Sequence, residues 1–260
     1  MQDRIRAFEG IHNFRDYGGY RTHDGGTLRT GLLWRSGQHV DATPVDLQAI
    51  ASLKLATIID LRGNQERADF PCARPAGFAA KVLFADGETA GSGQAPHIQA
   101  GESVITASQA HERMVDLYRL MPFRPLLGEI YQAYFRTLAY DDGASLLHCL
   151  AGKDRTGLAA AIAHHLLGVH DDDVMADYML TNSAGNIEAR IAAGAKTVRA
   201  NFGPAMHEDA VRTLMSVDPA YLNTALVAIK AEHGTIRAYA RELLGVDDAM
   251  LSAMQARLVG

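Results

Sequence analysis

A cysteine and an arginine lie in the middle of the chain with five residues between them, as Cys149 and Arg155. Leu146 and Leu147 close an apolar run that predicts a buried strand, and an Ala-, Ile- and Leu-rich run from Leu158 predicts a buried helix. A strand-to-helix turn directs several backbone N–H groups into one concavity, and the helix N-terminus adds a partial positive charge. The intervening loop is therefore predicted to bind a dianion of the size of phosphate.

The residue types in this loop suit a reaction at a bound phosphate. Arg155 can bind two phosphate oxygens with its planar guanidinium, and Gly152 allows the backbone to bend tightly. The loop amides and Arg155 would stabilise Cys149 as a thiolate, to which Thr156 can donate its hydroxyl. A thiolate that faces a bound phosphate is an activated nucleophile. The predicted phosphate ligands besides Arg155 are the backbone amides of Leu150, Ala151, Gly152 and Lys153, together with Thr156.

The whole segment from His148 to Gly157, His-Cys-Leu-Ala-Gly-Lys-Asp-Arg-Thr-Gly, resembles the Cys-x5-Arg signature of the protein tyrosine phosphatase superfamily. The lysine and aspartate inside the loop are similar to the bacterial and fungal branch of that superfamily. The resemblance is strongest at 146–157 and extends from about Ile11 to Leu258. It implies hydrolysis of phosphotyrosine, and in some members also of phosphoserine, phosphothreonine or phosphoinositides.

The resemblance also implies a mechanism through a cysteinyl-phosphate intermediate. Cys149 would attack phosphorus, and Arg155 with the loop amides would stabilise the transition-state oxygens. An acid would protonate the leaving oxygen and then accept a proton from the attacking water. The Trp-Pro-Asp segment that carries the acid in better-known tyrosine phosphatases does not occur here, so Asp154 is the first candidate and Asp60 the second. No metal and no cofactor are expected, because Arg155 and the amides supply the positive field.

Two alternatives stay open at the sequence level. The first is a catalytically idle module that recognises phosphate without turnover, although binding alone does not require the thiol of Cys149. The second concerns Lys153, which would add positive charge at the mouth of the site and suit a multiply phosphorylated inositol head group. Lys153 would otherwise only compensate the charge of Asp154.

Further candidates lie outside the loop. Residues 13–16 and the later Arg35-Ser36 pair resemble the N-terminal signature of the same branch. Four side chains are expected to brace the loop from behind: Arg15, Asp16, Arg35 and His148. For the first three of them, a purely structural ion-pair network is the slightly favoured alternative.

Asp60 and Arg62 follow a predicted buried strand over 55–60. Functional groups in open α/β sheets collect beyond the carboxyl ends of strands, which makes Arg62 a candidate substrate ligand. The pattern Asp60-Leu-Arg62 followed by Glu66 also matches the family. A strand-end turn capped by Asp60 explains the same residues equally well.

Pattern and length together predict the fold class. We expect a single α/β domain over residues 1–260, with a short, mostly parallel sheet flanked by helices and a helix-rich C-terminal half. Residues 86–106 are rich in Gly, Ser and Thr and too long for an ordinary connection, so they are expected to form a flexible flap or insertion.

Composition limits the partners. A net charge of −5 gives no support for nucleic-acid binding or for a polybasic membrane anchor, and nothing in the composition sets an oligomeric state. The two cysteines cannot form a disulfide framework, and residues 1–10 carry no apolar stretch typical of a secretory signal. We therefore expect a cytoplasmic enzyme whose partner is a phosphorylated protein or a phosphoinositide.

Overall fold

A five-stranded sheet organises the computed structural model. The structure describes residues 4–90, 105–184, 188–189, 191–192, 194–196 and 206–260. The strands are β1 (Arg15–Asp16), β2 (Leu33–Ser36), β3 (Leu55–Asp60), β4 (Lys81–Leu83) and β5 (Ala144–His148). Their order in the sheet is β1-β2-β5-β3-β4, and only the edge pair β1–β2 is antiparallel. The predicted mostly parallel sheet is confirmed.

The strand β5 lies at the centre of this sheet and ends directly before Cys149. In the register of the sheet, His148 is opposite Ser36 of β2 on one side and opposite Asp60 of β3 on the other. All five residues of β5 are buried, as expected for a central strand covered on both faces. The carboxyl ends of β2, β3 and β5 therefore meet beside the nucleophile candidate.

Helices cover the sheet and make up most of the C-terminal half, as predicted. They are α1 (Pro44–Ser52), α2 (Asn64–Asp69), α3 (Ala107–Leu120), α4 (Pro125–Tyr140), α5 (Asp154–Leu166), α6 (Asp171–Met179), α7 (Glu208–Met215), α8 (Pro219–His233), α9 (Ile236–Leu244) and α10 (Asp248–Leu258). Short 3-10 turns lie at Met121–Phe123 and Leu180–Asn182. Within the described residues, no helix is both long and apolar enough to cross a membrane.

Among the described helices, α5 is the most fully buried, and it holds the loop in place. Its residues Leu158–Ala163 are all buried, and it contacts α6, α8 and α9. Small alanine side chains let these helices approach it closely. A second apolar cluster, which includes Phe14, Trp34 and Leu146, covers the other face of the sheet.

Two expectations about the organisation of the chain stay predictions. The assignment of residues 1–260 to one domain is one of them. Of the expected flap over 86–106, residues 91–104 lie outside the described part of the chain. The remaining residues are 86–90, which follow β4 and include the buried Thr89 and Ala90, and 105–106, where Thr106 caps α3.

Candidate active site

The loop between β5 and α5 makes a tight turn and packs against the residues that follow β2. Gly152 has a φ of +64°, a left-handed conformation that suits glycine, and a Cβ there would lie 2.3 Å from the carbonyl oxygen of Ser36. The amide of Gln38 donates to the carbonyl of Leu150 at 2.9 Å. Cys149 lies at the start of the loop and is 2% exposed. The loop is thus held from behind by the neighbouring strand end.

Side chains from the segment before β1 and from β2 hold the loop carbonyls on its outer side. The amide nitrogen of Asn13 donates to the carbonyl of Gly152 at 2.7 Å and to that of Ala151 at 3.4 Å. Arg35 Nη2 donates to the same Gly152 carbonyl at 3.1 Å. Because C=O and N–H point in opposite directions across a trans peptide, the amides of Gly152 and Lys153 face the inner side. This is the amide arrangement that an oxyanion requires.

Arg155 is fixed by its two terminal nitrogens. Nη1 and Nη2 donate to the two carboxylate oxygens of Glu66, at 2.5 and 2.7 Å, and Nη1 also reaches Thr89 Oγ1 at 2.9 Å and the Leu61 carbonyl at 3.1 Å. Burial opposes the charge of Arg155, but Glu66 outweighs it and raises the pKa of Arg155 above its usual range. Within the described residues, the buried Nε has no hydrogen-bond partner. One edge of the guanidinium is therefore anchored, and the edge that contains Nε remains for a ligand.

Asp154 is the first residue of α5 and is 2% exposed. Tyr118 donates its hydroxyl to Asp154 Oδ1 at 2.9 Å. The Lys153 ammonium lies 3.4 Å from the same oxygen.

The Lys153 side chain does not lie at the mouth of the site, where the sequence placed it. It is 1% exposed, and its ammonium donates to the carbonyls of Leu214 and Ser216 at the C-terminal end of α7. Unpaired carbonyls and the helix dipole at a helix C-terminus favour a cation there. Lys153 thereby ties the loop to α7.

Asp60 and Arg62 bind each other rather than the loop. Arg62 Nε and Nη2 donate to the two carboxylate oxygens of Asp60 at 2.8 and 2.7 Å, and Arg62 Nη1 reaches the Phe70 carbonyl at 2.6 Å. Burial by itself raises the pKa of Asp60, but His148 and Arg62 outweigh it and hold that pKa well below its usual range. Asp60 therefore has no proton to donate near neutral pH. The expectation of Asp60 as an acid and Arg62 as a substrate ligand does not fit this arrangement.

His148 is completely buried beneath the loop. Its Nε2 lies 3.7 Å from Asp60 Oδ2, and its ring stacks on His39 with a centroid distance of 5.5 Å. Burial lowers the pKa of His148 to about 4, despite the nearby carboxylate. His148 is consequently neutral under ordinary conditions and packs between Asp60 and His39 at the end of β5.

The buried ion-pair network behind the loop contains a residue that the sequence did not single out. Asp177 of α6 accepts from Arg15 Nε at 3.1 Å and from Arg35 Nη1 at 2.6 Å. Arg15 also donates to the side chain of Asn13, which holds the loop carbonyls. Burial lowers the pKa of Arg15 to about 10, with a further contribution from Arg35. Both arginines thus brace the loop through a shared carboxylate.

Two expected contacts are not formed. Asp16 accepts from the amides of Gly18 at 2.8 Å and Gly31 at 2.5 Å, so it closes a turn near β1 and does not reach the loop. The buried hydroxyl of Thr156 has no hydrogen-bond partner within the described residues, so the expected bond to the Cys149 sulfur is absent.

The described part of the chain shows no metal centre, and it places one further cation, Arg124, near Arg155. No group of three or more His, Cys, Asp or Glu side chains in it is arranged to hold a metal ion. Arg124, the residue before α4, is partly buried, and its pKa is lowered by burial and then by the charge of Arg155. Arg124 therefore lies within electrostatic range of the anchored guanidinium.

A loop with a cysteine at its start, outward-held carbonyls and an anchored arginine at its end defines a cysteine-dependent phosphatase. The sequence profile of the tyrosine phosphatase family matches residues 6–260, and the chain belongs to this family. The resemblance seen in the sequence is thereby confirmed. The protein is accordingly a cysteine-based phosphatase that acts on phosphorylated substrates.

Individual relatives agree with this assignment. A putative tyrosine-protein phosphatase of Cupriavidus necator is 34% identical over 248 residues, which cover 94% of this chain and 86% of the relative. The triple specificity protein phosphatase PtpB of Mycobacterium tuberculosis is 28% identical over 287 aligned positions, covering 98% of this chain and 99% of that protein. A tyrosine-protein phosphatase of Nostoc commune is 27% identical over 235 residues, which cover 83% of this chain and 70% of that protein.

Proposed function

We propose that the enzyme hydrolyses phosphomonoesters with Cys149 as nucleophile, Arg155 as the phosphate ligand and Asp154 as general acid. The observation that carries the proposal is the orientation of Arg155. Glu66 holds both terminal nitrogens, while the buried Nε has no partner within the described residues. Nε–H and the second hydrogen of Nη2 form a planar fork that matches two phosphate oxygens.

The proposed reaction has two displacements at phosphorus. In the first, the Cys149 thiolate forms the S–P bond, the P–O bond to the leaving group breaks, and Asp154 gives its proton to the leaving oxygen. In the second, water attacks phosphorus, Asp154 accepts a proton from it, and the S–P bond breaks to return the thiolate. The inward amides and Arg155 stabilise the oxygens in both transition states.

We propose a phosphorylated protein as the substrate, with a phosphoinositide as the second candidate. Arg124 favours the second candidate, because its charge lies near that of Arg155 and the pair suits a ligand with more than one anionic group. One relative is named a triple specificity protein phosphatase, which supports testing substrates beyond phosphotyrosine. A cysteine nucleophile works in reducing surroundings, so we further propose that the enzyme acts in the cytoplasm.

The test measures turnover of a phosphotyrosine peptide and of a phosphoinositide in parallel, with and without chelator. Cys149→Ser should abolish turnover while it retains binding of inorganic phosphate, because the amides and Arg155 remain. Cys72→Ser is the matched control, since Cys72 accepts a backbone hydrogen bond from His39, away from the loop that carries Cys149, and the change should leave turnover unchanged. Near-native turnover in Cys149→Ser would exclude the covalent mechanism.

A further inference from the structure

Two buried tyrosine hydroxyls stand in series behind Asp154. Tyr178 of α6 donates to the hydroxyl of Tyr118 at 2.8 Å, and Tyr118 of α3 donates to Asp154 Oδ1 at 2.9 Å. Tyr118 is 0% exposed and Tyr178 is 1% exposed, so water does not compete for these hydrogen bonds. A chain of hydrogen bonds in a low-dielectric interior strengthens its last member.

The phenols keep their protons across the working range of pH. Burial raises the pKa of both Tyr118 and Tyr178 well above the ordinary value of 10.0. Tyr118 therefore remains a hydrogen-bond donor to Asp154 Oδ1 whether or not the carboxyl group is ionised.

Among the described residues, further groups near Asp154 come from its own loop and from α8. Lys153 approaches the same oxygen, Oδ1, at 3.4 Å, and Arg155 lies beside it in sequence and interacts with its charge. From α8, Tyr221 packs on Tyr118 with a ring centroid distance of 5.6 Å. Burial, followed by Asp218 and Asp154, raises the pKa of Tyr221, so it too stays neutral.

We propose that Tyr118 is a positioning residue for the general acid, supported from behind by Tyr178. Tyr118 donates a hydrogen bond to Oδ1, and the Lys153 ammonium lies 3.4 Å from the same oxygen, so a further proton on Oδ1 would be repelled. The proton of the acid form is therefore carried by Oδ2, which delivers it to the leaving oxygen and accepts one from water. This inference rests on the proposed role of Asp154 as general acid.

The inference predicts a specific kinetic signature for Tyr118→Phe. The Tyr118 hydrogen bond is stronger to a carboxylate than to a neutral carboxyl group, so its loss should make Asp154 give up its proton at higher pH. The alkaline limb of the kcat/KM profile, which reports the loss of the Asp154 proton, should then shift to higher pH by about one unit. Because the acid is also less well oriented, kcat on an alkyl phosphate should fall about tenfold or more, with a far smaller loss on p-nitrophenyl phosphate.

The experiment compares four variants by pH profile and leaving-group series, with folding checked by near-UV circular dichroism. Tyr178→Phe should shift the same limb in the same direction by less. Tyr134→Phe is the matched control, because its hydroxyl lies 2.7 Å from that of Tyr17 in an equally buried pair, and it should not move the limb. Asp154→Asn should show the leaving-group dependence in full.

The outcomes separate the two claims. If Asp154→Asn shows leaving-group dependence but Tyr118→Phe loses the same factor on every substrate with unmoved limbs, Tyr118 is only structural and the inference is overturned. If Asp154→Asn itself shows no leaving-group dependence, the proposed role of Asp154 is wrong and the inference is overturned with it. A shifted limb in Tyr118→Phe, absent in Tyr134→Phe, supports the inference.

Discussion

The carboxylate of Glu66 and the guanidinium of Arg155 meet edge to edge, with each carboxylate oxygen accepting from a different terminal nitrogen. The Arg155 side chain is 0% exposed and that of Glu66 is 4% exposed. A bidentate pair of this kind fixes the plane of the guanidinium as well as its position. The edge of Arg155 that contains Nε is thereby aimed before any phosphate binds.

Glu66→Gln should weaken this preorganisation without removing the cation. An amide has one acceptor oxygen, so one of the two parallel hydrogen bonds to Arg155 is lost. We expect kcat/KM on p-nitrophenyl phosphate to fall about ten- to hundredfold, together with weaker inhibition by inorganic phosphate. Glu88→Gln is the control, because Glu88 binds the backbone amide of Gln65 instead. An unchanged inhibition constant for phosphate in Glu66→Gln would contradict the assigned role.

The strand, loop and helix that carry the candidate residues were predictable from the sequence. Cys149 and Gly152 lie in the loop and Arg155 lies in the first turn of α5, so the short spacing between a buried strand and a buried helix determines how they meet. Glu66 belongs to the family-like pattern that begins at Asp60, but the pattern did not predict that Glu66 would bind Arg155. Local sequence fixes local geometry, which is why this part was accessible.

Arg15 and Arg35 were expected to brace the loop, but the partners that complete these supporting contacts depend on tertiary packing and carried no sequence signal. Asp177 lies 162 positions from Arg15, and Thr89 lies 66 positions from Arg155. Lys153 illustrates the same limit, because its burial against α7 depends on a helix more than fifty positions later in the chain. Periodicity and spacing do not say which helix end will meet a given side chain.

Asp177→Asn should destabilise the fold, because Arg15 and Arg35 then share no buried counter-charge. Breaking a buried ion pair in this way costs about 3–5 kcal/mol, so the urea midpoint should fall clearly. Asp172→Asn, on an exposed position of the same helix, is the control and should change the midpoint little. A midpoint for Asp177→Asn equal to that of the control would show that the arginines do not need this carboxylate.

Stability should decline as the pH falls below about 6.5, before the carboxylates protonate. Burial lowers the pKa of His148 to about 4, so the unfolded chain binds this proton at a higher pH than the folded one. A lowered pKa means that stability is greatest above the unfolded value and is lost as the pH falls, by about 3 kcal/mol near pH 4. Urea unfolding from pH 8 to 4 measures the loss, and His148→Gln should flatten the curve. An exposed control, His23→Gln, should leave the slope unchanged.

Arg124→Met should separate the two substrate classes. The change removes the charge near Arg155 but keeps a long apolar side chain. We expect KM for a multiply phosphorylated inositol head group to rise about tenfold, with little change for a phosphotyrosine peptide. Arg119→Met, which removes an exposed arginine paired with Asp116, is the control. Equal effects on both substrates would remove the argument for phosphoinositides.

The reactivity of Cys149 tests directly whether the loop amides and Arg155 form an anion-binding cradle around its sulfur. Iodoacetate is an anion and iodoacetamide is neutral, while both alkylate a thiolate by the same displacement. A cradle of inward amides and Arg155 should concentrate the anion next to Cys149, so iodoacetate should react faster there than iodoacetamide. Cys72 accepts a hydrogen bond from the His39 amide and interacts with Arg62, whose charge is already paired with Asp60, so its preference for the anion should be much weaker.

Peptide mapping of both cysteines after timed alkylation measures these preferences in one sample. Inorganic phosphate should slow the reaction of Cys149 with both reagents and leave Cys72 unaffected, because phosphate occupies only the cradle. Arg155→Lys should retain a charge but lose the planar fork, so phosphate should protect Cys149 less well in that variant. If Cys149 instead reacts equally with both reagents and phosphate gives no protection, the amides and Arg155 do not form an anion site around this sulfur.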